Sequence, residues 1–284
     1  MELNTEIPTQ APRDAASVVL LRDGSNGLEV FLLKRHSASR VLGGAYVFPG
    51  GKLDPEDSAI HPHHFNLSPL ELHARLGESD ISPARAAGLF VAALRETFEE
   101  AGVLLLEGAQ RPPTGHTAGF HDLLRAQGLR LNVAALHPWT RWITPRKPSV
   151  SSKRFDARFF VAAMPAHQTA LHDDVEATDS AWLGPRQALQ QYWDGEMELA
   201  PPQIMSLAHL ARHTHVASLL AQLRGRAPAT ILPQSHDLHG QRVMCYPGDP
   251  LHSVARRALP GPTRLLWRGT RFEPEAGLAA LWSD

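Results

Sequence analysis

The segment "SPARAAGLFVAALRETFEEAG", residues 82–102, constrains the fold more than any other part of the chain. Ser82 stands where an N-cap belongs, Pro83 follows at the first helical position, and Gly102 supplies a C-terminal stop. These signals predict a helix over 83–101. On a wheel of about 100° per residue, Val91, Leu94, Phe98 and Ala101 gather on one side. Glu96, Glu99 and Glu100 share the other, with Arg95 at its edge. Such a helix buries its apolar back in the protein and presents an acidic front.

That front is unfavourable on local grounds. Like charges three and four positions apart repel by about 0.2–0.5 kcal/mol per pair. Carboxylates in a last helical turn also oppose the helix dipole, by about 0.3–1 kcal/mol. A structural face would more naturally carry lysines there, and a solvated acidic patch is the plain alternative. The placement makes sense beneath a hard divalent cation, which takes a few carboxylates together with water and substrate phosphates.

Strand patterns surround the helix. Ser17–Leu21 and Leu28–Arg35 are β-rich runs joined by "RDGSNG", so a hairpin is predicted. Ala45–Asp54 reads as a short strand ending at Pro49 and two glycines. Within residues 58–82, Ser68, Pro69 and Glu71 form a capping-box start and Gly77 a stop, predicting one small helix. Val103–Leu106, Arg154–Met164 and "SAWLGP" read as strands. "PRQALQQYW" and "PPQIMSLAHLARHTHVASLLAQLR" are predicted as two amphipathic helices, the second with a core-facing stripe at Leu207, Leu210, Leu219, Leu220 and Leu223. Past Gly225, "ATIL", "QRVMCY" and "TRLLW" predict a small β-rich extension with no visible chemistry. The resulting division is an arm over 1–14, a main domain over 15–225 with an insertion at about 58–82, and an extension over 226–284.

A net charge of −1 provides no global field to attract nucleic acid or an anionic membrane. An anionic substrate therefore needs local donors or a metal. No apolar run approaches the ~18 residues of a membrane span. The N-terminal stretch lacks the pattern of a signal peptide, and "LWSD" is not a peroxisomal tripeptide. A cytoplasmic setting is expected, and a homodimer is left open. The single cysteine, Cys245, excludes an internal disulfide framework and reads as a small buried hydrophobe. His61, His63 and His64, like His213 and His215, lack metal-site spacing and are expected on the solvated surface.

"RETFEEAGV", Arg95 to Val103, resembles the second half of the Nudix box, G-x5-E-x7-R-E-U-x-E-E-x-G-U with U apolar, Thr97 standing at the first U. The first half is similar to "GGKLDPED", where Gly51 is followed by five residues and then Asp57 in place of Glu. Asp57 and Arg95 lie 38 positions apart where the pattern has eight, and the insertion accounts for the excess. The resemblance implies an α/β fold: a Nudix-type α/β/α sandwich around a mixed sheet, with C-terminal helices and the small β extension. It implies Mg²⁺ or Mn²⁺ held by Glu99, Glu100 and the Gly50 carbonyl, Glu96 as a further ligand or as the base for water, and Arg95 steadying the carboxylates. The ion would neutralise phosphate charge and activate water against a diphosphate. A further acid is expected from Asp57 or from "HDDVEATDSAW", where Asp173, Asp174 and Glu176 all qualify.

"LLKRHSASRVLGGAYVFPGG" resembles the coenzyme A signature of a Nudix subgroup, with Arg35, Arg40, Gly44, Phe48, Pro49, Gly50 and Gly51 in register and with Leu33 and His36 departing from it. Arg35, Arg40 and Gly51 are the implied substrate contacts. "WITP", "RFDARFF" and "LAPPQ" are similar to the peroxisomal coenzyme A and acyl-CoA diphosphatases. The expected function is hydrolysis of coenzyme A or acyl-CoA to 3′,5′-ADP and (acyl-)4′-phosphopantetheine. The alternatives are a Nudix enzyme acting on a nucleotide sugar, ADP-ribose, a dinucleoside polyphosphate or capped RNA, and a non-catalytic nucleotide-binding module. Near-neutral charge disfavours RNA, and the intact acid trio disfavours a pure binder. The insertion is expected either to cover or shape the pocket, or to be a surface excursion.

Overall fold

The computed structural model describes residues 10–39, 41–108, 119–147 and 153–283. The main sheet contains β1 (Arg13–Gly24), β2 (Gly27–Arg35), β3 (Tyr46–Val47), β4 (Gly50–Lys52), β5 (His137–Ile143), β6 (Phe155–Ala163), β7 (Ala177–Leu183) and β8 (Ala229–Ile231). Its central path runs β3-β2-β1-β6-β5-β8, with β7 paired to β2 and β4 paired to β1. The β1–β6 and β5–β8 pairs are parallel and the remaining ladders antiparallel, so the sheet is mixed.

Side-chain alternation along β1 divides the interior in two. Ala16, Val18 and Leu20 face the core that holds helix α2 (Pro83–Ala101), while Val19 and Leu21 face the opposite core. Two cores on one sheet require helices on both faces. The preceding helix α1 (Pro69–Leu76) shares the first face with α2, as does α3 (Phe120–Gln127). Helices α4 (Pro185–Asp194), α5 (Pro201–Leu210) and α6 (Val216–Leu223) cover the second.

The caps of α1 and α2 fall where the sequence puts them. Ser68 and Glu71 close a capping box, Ser82 accepts from the Arg85 N–H, and Gly77 and Gly102 adopt left-handed stops. The insertion is neither a lid nor a surface excursion. Ile60, Phe65, Leu72 and Leu76 are buried in the α2 core. Gly88 packs so close to this segment that a Cβ would sit 2.2 Å from Ser58 Oγ. Glu78, just beyond α1, is buried against Arg158 of β6 and Arg141 of β5, which fastens the insertion to the sheet.

Three further expectations need correction. Val103–Leu106 is buried but forms no ladder among the described residues, where it makes a bridge from Leu106 to Leu131. The helix predicted across 201–224 is two helices, because the Thr214 carbonyl turns away to accept the Leu28 N–H of β2. His64 is buried, with Nδ1 2.7 Å from the Leu129 carbonyl, rather than solvated.

The C-terminal part begins inside the main sheet with β8. It continues as a four-stranded antiparallel sheet of β9 (Gln234–Leu238), β10 (Gln241–Cys245), β11 (Arg264–Trp267) and β12 (Phe272–Glu273) in the order β12-β11-β10-β9. Tyr246, Leu265 and Phe272 join the second core beside Trp142 and Phe159. Cys245 is buried, and burial pushes its thiol up to about 12. No helix among the described residues is long and apolar enough to cross a membrane.

Candidate active site

The last turns of α2 meet the glycine strand β4 at one edge of the sheet. Arg95 organises this junction while only 5% exposed. Its Nε and Nη2 each lie 2.9 Å from one oxygen of Asp57, a bidentate fork, and Nη2 also donates to the Lys52 carbonyl at 2.9 Å. Nη1 donates to Glu96 Oε1 at 2.8 Å and to Glu99 Oε2 at 3.1 Å. Burial works against the Arg95 charge, but the Asp57 hydrogen bonds and the neighbouring carboxylates outweigh it and raise its pKa.

Asp57 is 1% exposed and also accepts the Asp54 N–H, with His121 Nε2 2.9 Å from its Oδ1. Burial would raise its pKa, yet the His121 and Arg95 contacts bring it below the usual carboxylate range. The insertion therefore separates Asp57 and Arg95 in sequence without separating them in space.

The glycines make the junction possible. A Cβ on Gly51 would lie 2.2 Å from Glu96 Oε1, and one on Gly50 would lie 2.4 Å from Ser17 Oγ. The Gly50 N–H donates to Glu100 Oε2 at 2.8 Å. Glu100 is 5% exposed, and its carboxyl is pushed up to about 8. Burial is the main cause, with Glu96 and Glu176 adding to it and the Gly50 N–H and Arg35 opposing it. Glu96 is raised by burial too, against the pull of Arg95 and with Glu99 and Glu176 reinforcing the shift. Both shifts come first from burial, which disfavours the charged carboxylate.

A cavity of roughly 570 Å³ opens beside this edge, within the ~300–1,000 Å³ typical of small-molecule sites. Its lining includes Gly50, Gly51, Arg95, Glu96, Glu99, Arg35 and Glu176. Glu100 lies behind the lining, and Asp57, with both oxygens engaged, does not reach the cavity. In "HDDVEATDSAW", Asp173 accepts the N–H groups of Val175, Glu176 and Ala177, an Asx-type turn that holds Glu176 in place. Asp174 points outward to His172 Nε2 at 2.9 Å. Glu176 is thus the carboxylate of that segment that the fold brings to the cavity, 3.9 Å from Arg35 Nη2. Arg35 Nε is buried without a partner among the described residues. Arg40 lies outside the described residues.

The floor follows one row across the sheet: Lys52 pairs with Ala15, Ala15 with Ala157, and Ala157 with Trp142. Three strand spacings make this run about 14 Å long. "WITP", "RFDARFF" and "LAPPQ" all contribute to the walls, through Trp142–Pro145, through Phe155, Ala157 and Phe159, and through Ala200–Gln203. Lys52 and Lys153 line the cavity and carry no motif signal in the sequence. Pro233 and Met244 line it as well, so the extension read as lacking visible chemistry forms part of the wall.

Among the described residues, no group of three or more His, Cys, Asp or Glu is arranged to hold a metal ion. Glu96, Glu99 and Glu100 are each tied by one oxygen to Arg95 or to Gly50. Mg²⁺ commonly takes only one or two protein carboxylates and completes its shell with water and substrate phosphates. The all-oxygen donors fit an ion shared with substrate better than a closed protein cage.

A mixed sheet between helices, with an acidic helix end seated on a glycine strand, is the architecture of the Nudix fold. The chain belongs to the Nudix hydrolase family: the family described as the NUDT19 Nudix domain matches residues 65–210, half of the chain. It is similar to the human acyl-coenzyme A diphosphatase NUDT19, 29% identical over 248 residues that span 72% of this chain and 66% of that protein. The Xenopus laevis protein of the same name is 26% identical over 246 residues, 70% of this chain and 63% of the relative. The match thus spans less than two thirds of the length of either relative. Among solved structures, a Nudix hydrolase from Alicyclobacillus acidocaldarius aligns with a TM-score of 0.58 and 29% identity, covering 76% of this chain and 98% of that one.

Proposed function

We propose that the chain is a metal-dependent Nudix pyrophosphohydrolase that splits coenzyme A or an acyl-CoA into 3′,5′-ADP and (acyl-)4′-phosphopantetheine. The observation that carries this reading is the meeting of Glu96, Glu99 and the glycine strand with Arg35 at the mouth of one cavity. The names of the relatives support the choice of substrate.

In this reading Glu96, Glu99, Glu100 and the Gly50 carbonyl hold Mg²⁺ or Mn²⁺, with Glu176 as the carboxylate added from outside the box. The ion, when bound, offsets the diphosphate charge and lowers the pKa of water. Glu96 lies on the cavity wall with a raised pKa, which suits it to take the proton of the attacking water. Arg35 presents its guanidinium to phosphate oxygens as a paired donor. Arg95 fixes the carboxylates, and Asp57 fixes Arg95.

The test is a panel of coenzyme A, acyl-CoA, ADP-ribose, a nucleotide sugar and a dinucleoside polyphosphate, each incubated with the purified chain and Mg²⁺ or Mn²⁺. Coenzyme A derivatives should give the highest kcat/KM, and Arg35→Ala should raise their KM about tenfold, as expected for loss of a charged hydrogen bond. Preference for any other member of the panel rejects the substrate and keeps the hydrolase.

A further inference from the structure

Among the described residues, four donors converge on the two oxygens of Asp57. Oδ1 lies 2.9 Å from Arg95 Nε and 2.9 Å from His121 Nε2. Oδ2 lies 2.9 Å from Arg95 Nη2 and accepts the Asp54 N–H at 2.9 Å. Arg95 thus supplies one donor to each oxygen, and the second donor on each comes from outside the fork. The Asp57 side chain is fully enclosed, and that of His121 is 13% exposed. The other imidazole nitrogen, Nδ1, lies 3.5 Å from Oε2 of the exposed Glu56. The imidazole stands edge-on to Phe120 at 5.4 Å, and Phe120 packs against Phe98 of α2 at 6.2 Å. These contacts seat α3 beside α2 and aim His121 at a carboxylate 64 positions away.

Resting on the proposed hydrolase, we propose that His121 is a positioning residue of the reaction: its Nε2–H fixes the plane of the Asp57 carboxylate, and that plane fixes Arg95 against Glu96 and Glu99. Burial would raise the Asp57 pKa, but its contacts bring it below the usual range, the His121 hydrogen bond first among them. An ionised carboxylate only accepts, so the imidazole nitrogen facing Oδ1 carries the hydrogen. A guanidinium fork matches a carboxylate when both oxygens lie in its plane. The Asp57 carboxylate can turn about its last bond unless each oxygen is also held from outside the fork. The Asp54 N–H holds Oδ2 and His121 holds Oδ1. Without His121, Oδ1 is left to Arg95 alone, and the carboxylate can swing on its Oδ2 anchor.

The effect reaches the cavity only through other groups. Among the described residues that line it are Glu96 and Glu99, but neither Asp57 nor His121. Arg95 Nη1 holds Glu96 Oε1 at 2.8 Å and Glu99 Oε2 at 3.1 Å. The path from α3 to the last turns of α2 thus runs His121, Asp57, Arg95, carboxylate, every step at hydrogen-bond distance. Arg35, the residue assigned to phosphate oxygens, is not on it. Loss of His121 should therefore fall on kcat and spare KM, the pattern of an interaction that matters in the transition state rather than in substrate binding.

Steady-state kinetics of the full chain with Mg²⁺, on the member of the substrate panel it cleaves best, tests this role. His121→Phe keeps an aromatic ring and removes the donor. At a temperature where denaturant curves show the variant folded, kcat should fall about tenfold, the lower end of what outer partners of metal ligands contribute, with KM within about twofold of wild type. His121→Gln, whose amide nitrogen reaches the place of Nε2, should recover most of the loss. Should His121→Phe fail to fold, His121→Asn, too short to set a donor on Asp57, takes its place. Nitrogen NMR of the wild-type imidazole should find a hydrogen on Nε2 at neutral pH. Wild-type kcat in the folded donor-less variant, an equal loss in His121→Gln, a change confined to KM, or a bare Nε2 overturns the positioning role and leaves the hydrolase standing. A folded wild-type chain that cleaves no member of the panel overturns the hydrolase and this role with it.

Discussion

Gly51 and Glu96 share a space that holds either a methyl group or a carboxylate, not both. The colliding group is the end of a flexible side chain, so Gly51→Ala should fold with a melting temperature close to wild type. Glu96 would then leave Arg95, and kcat should fall at least tenfold, the range in which positioned acid–base groups contribute. Wild-type kcat in that variant would remove Glu96 from the reaction. Glu100 makes a second prediction, through pH. Its carboxyl titrates near 8 in the folded chain against 4.5 as a free group, so the folded state holds the proton more tightly. Stability is fully present below about 4.5 and is lost as pH rises toward 8. Glu100→Gln cannot ionise. In chelator, its stability advantage over wild type should therefore grow from pH 4 to pH 8, by on the order of a few kcal/mol at most. Mg²⁺ should shrink the difference, and a gap that stays flat with pH would contradict the assignment. The three glutamates were legible in the sequence because they share a helical face. The burial of Glu100 was not, because it depends on a glycine strand fifty positions upstream.

The insertion and α2 behave as one element. Leu72 is fully buried against the α2 core, so Leu72→Ala should cost about 2–5 kcal/mol in chemical denaturation. No residue of the insertion lines the cavity, so KM should stay within about twofold of wild type at a temperature where the variant is folded. A shifted KM without lost stability would return the insertion to the substrate site. Asp57→Ala should strike both properties, because it removes the bidentate partner of a buried guanidinium. A loss of about 1–3 kcal/mol is expected for the broken hydrogen bonds to a charged group, together with reduced kcat as Arg95 is less firmly held against Glu96 and Glu99. Local signals made α1 and α2 readable to the residue, since caps and stops act within a turn. The break after α5 carries neither proline nor glycine. It arises from the Thr214 carbonyl bonding to β2 and from Arg212 reaching the Leu281 carbonyl, contacts that no local pattern encodes. Val103–Leu106 failed as a strand for a related reason: an apolar run reports burial, not the presence of a partner strand.

At the scale of the molecule, the cavity draws its walls from residues as distant in sequence as Ala15 and Met244. Its charged end was foreseeable from "FPGG" and "RETFEEAGV". Its other walls were not, because Trp142, Gln203 and Met244 come from three elements far apart in sequence that only the folded chain brings to one cavity. The central claim is that this cavity hydrolyses a coenzyme A diphosphate with the α2 carboxylates. Mass-spectrometric analysis of coenzyme A incubated with the purified chain, with Mg²⁺, with chelator and as the Glu99→Gln variant, tests it most directly. Wild type with Mg²⁺ should yield 3′,5′-ADP and 4′-phosphopantetheine, with turnover abolished by chelator and severely reduced in the variant. Intact coenzyme A with a folded wild-type chain and Mg²⁺ or Mn²⁺, or full turnover by the variant, would contradict it.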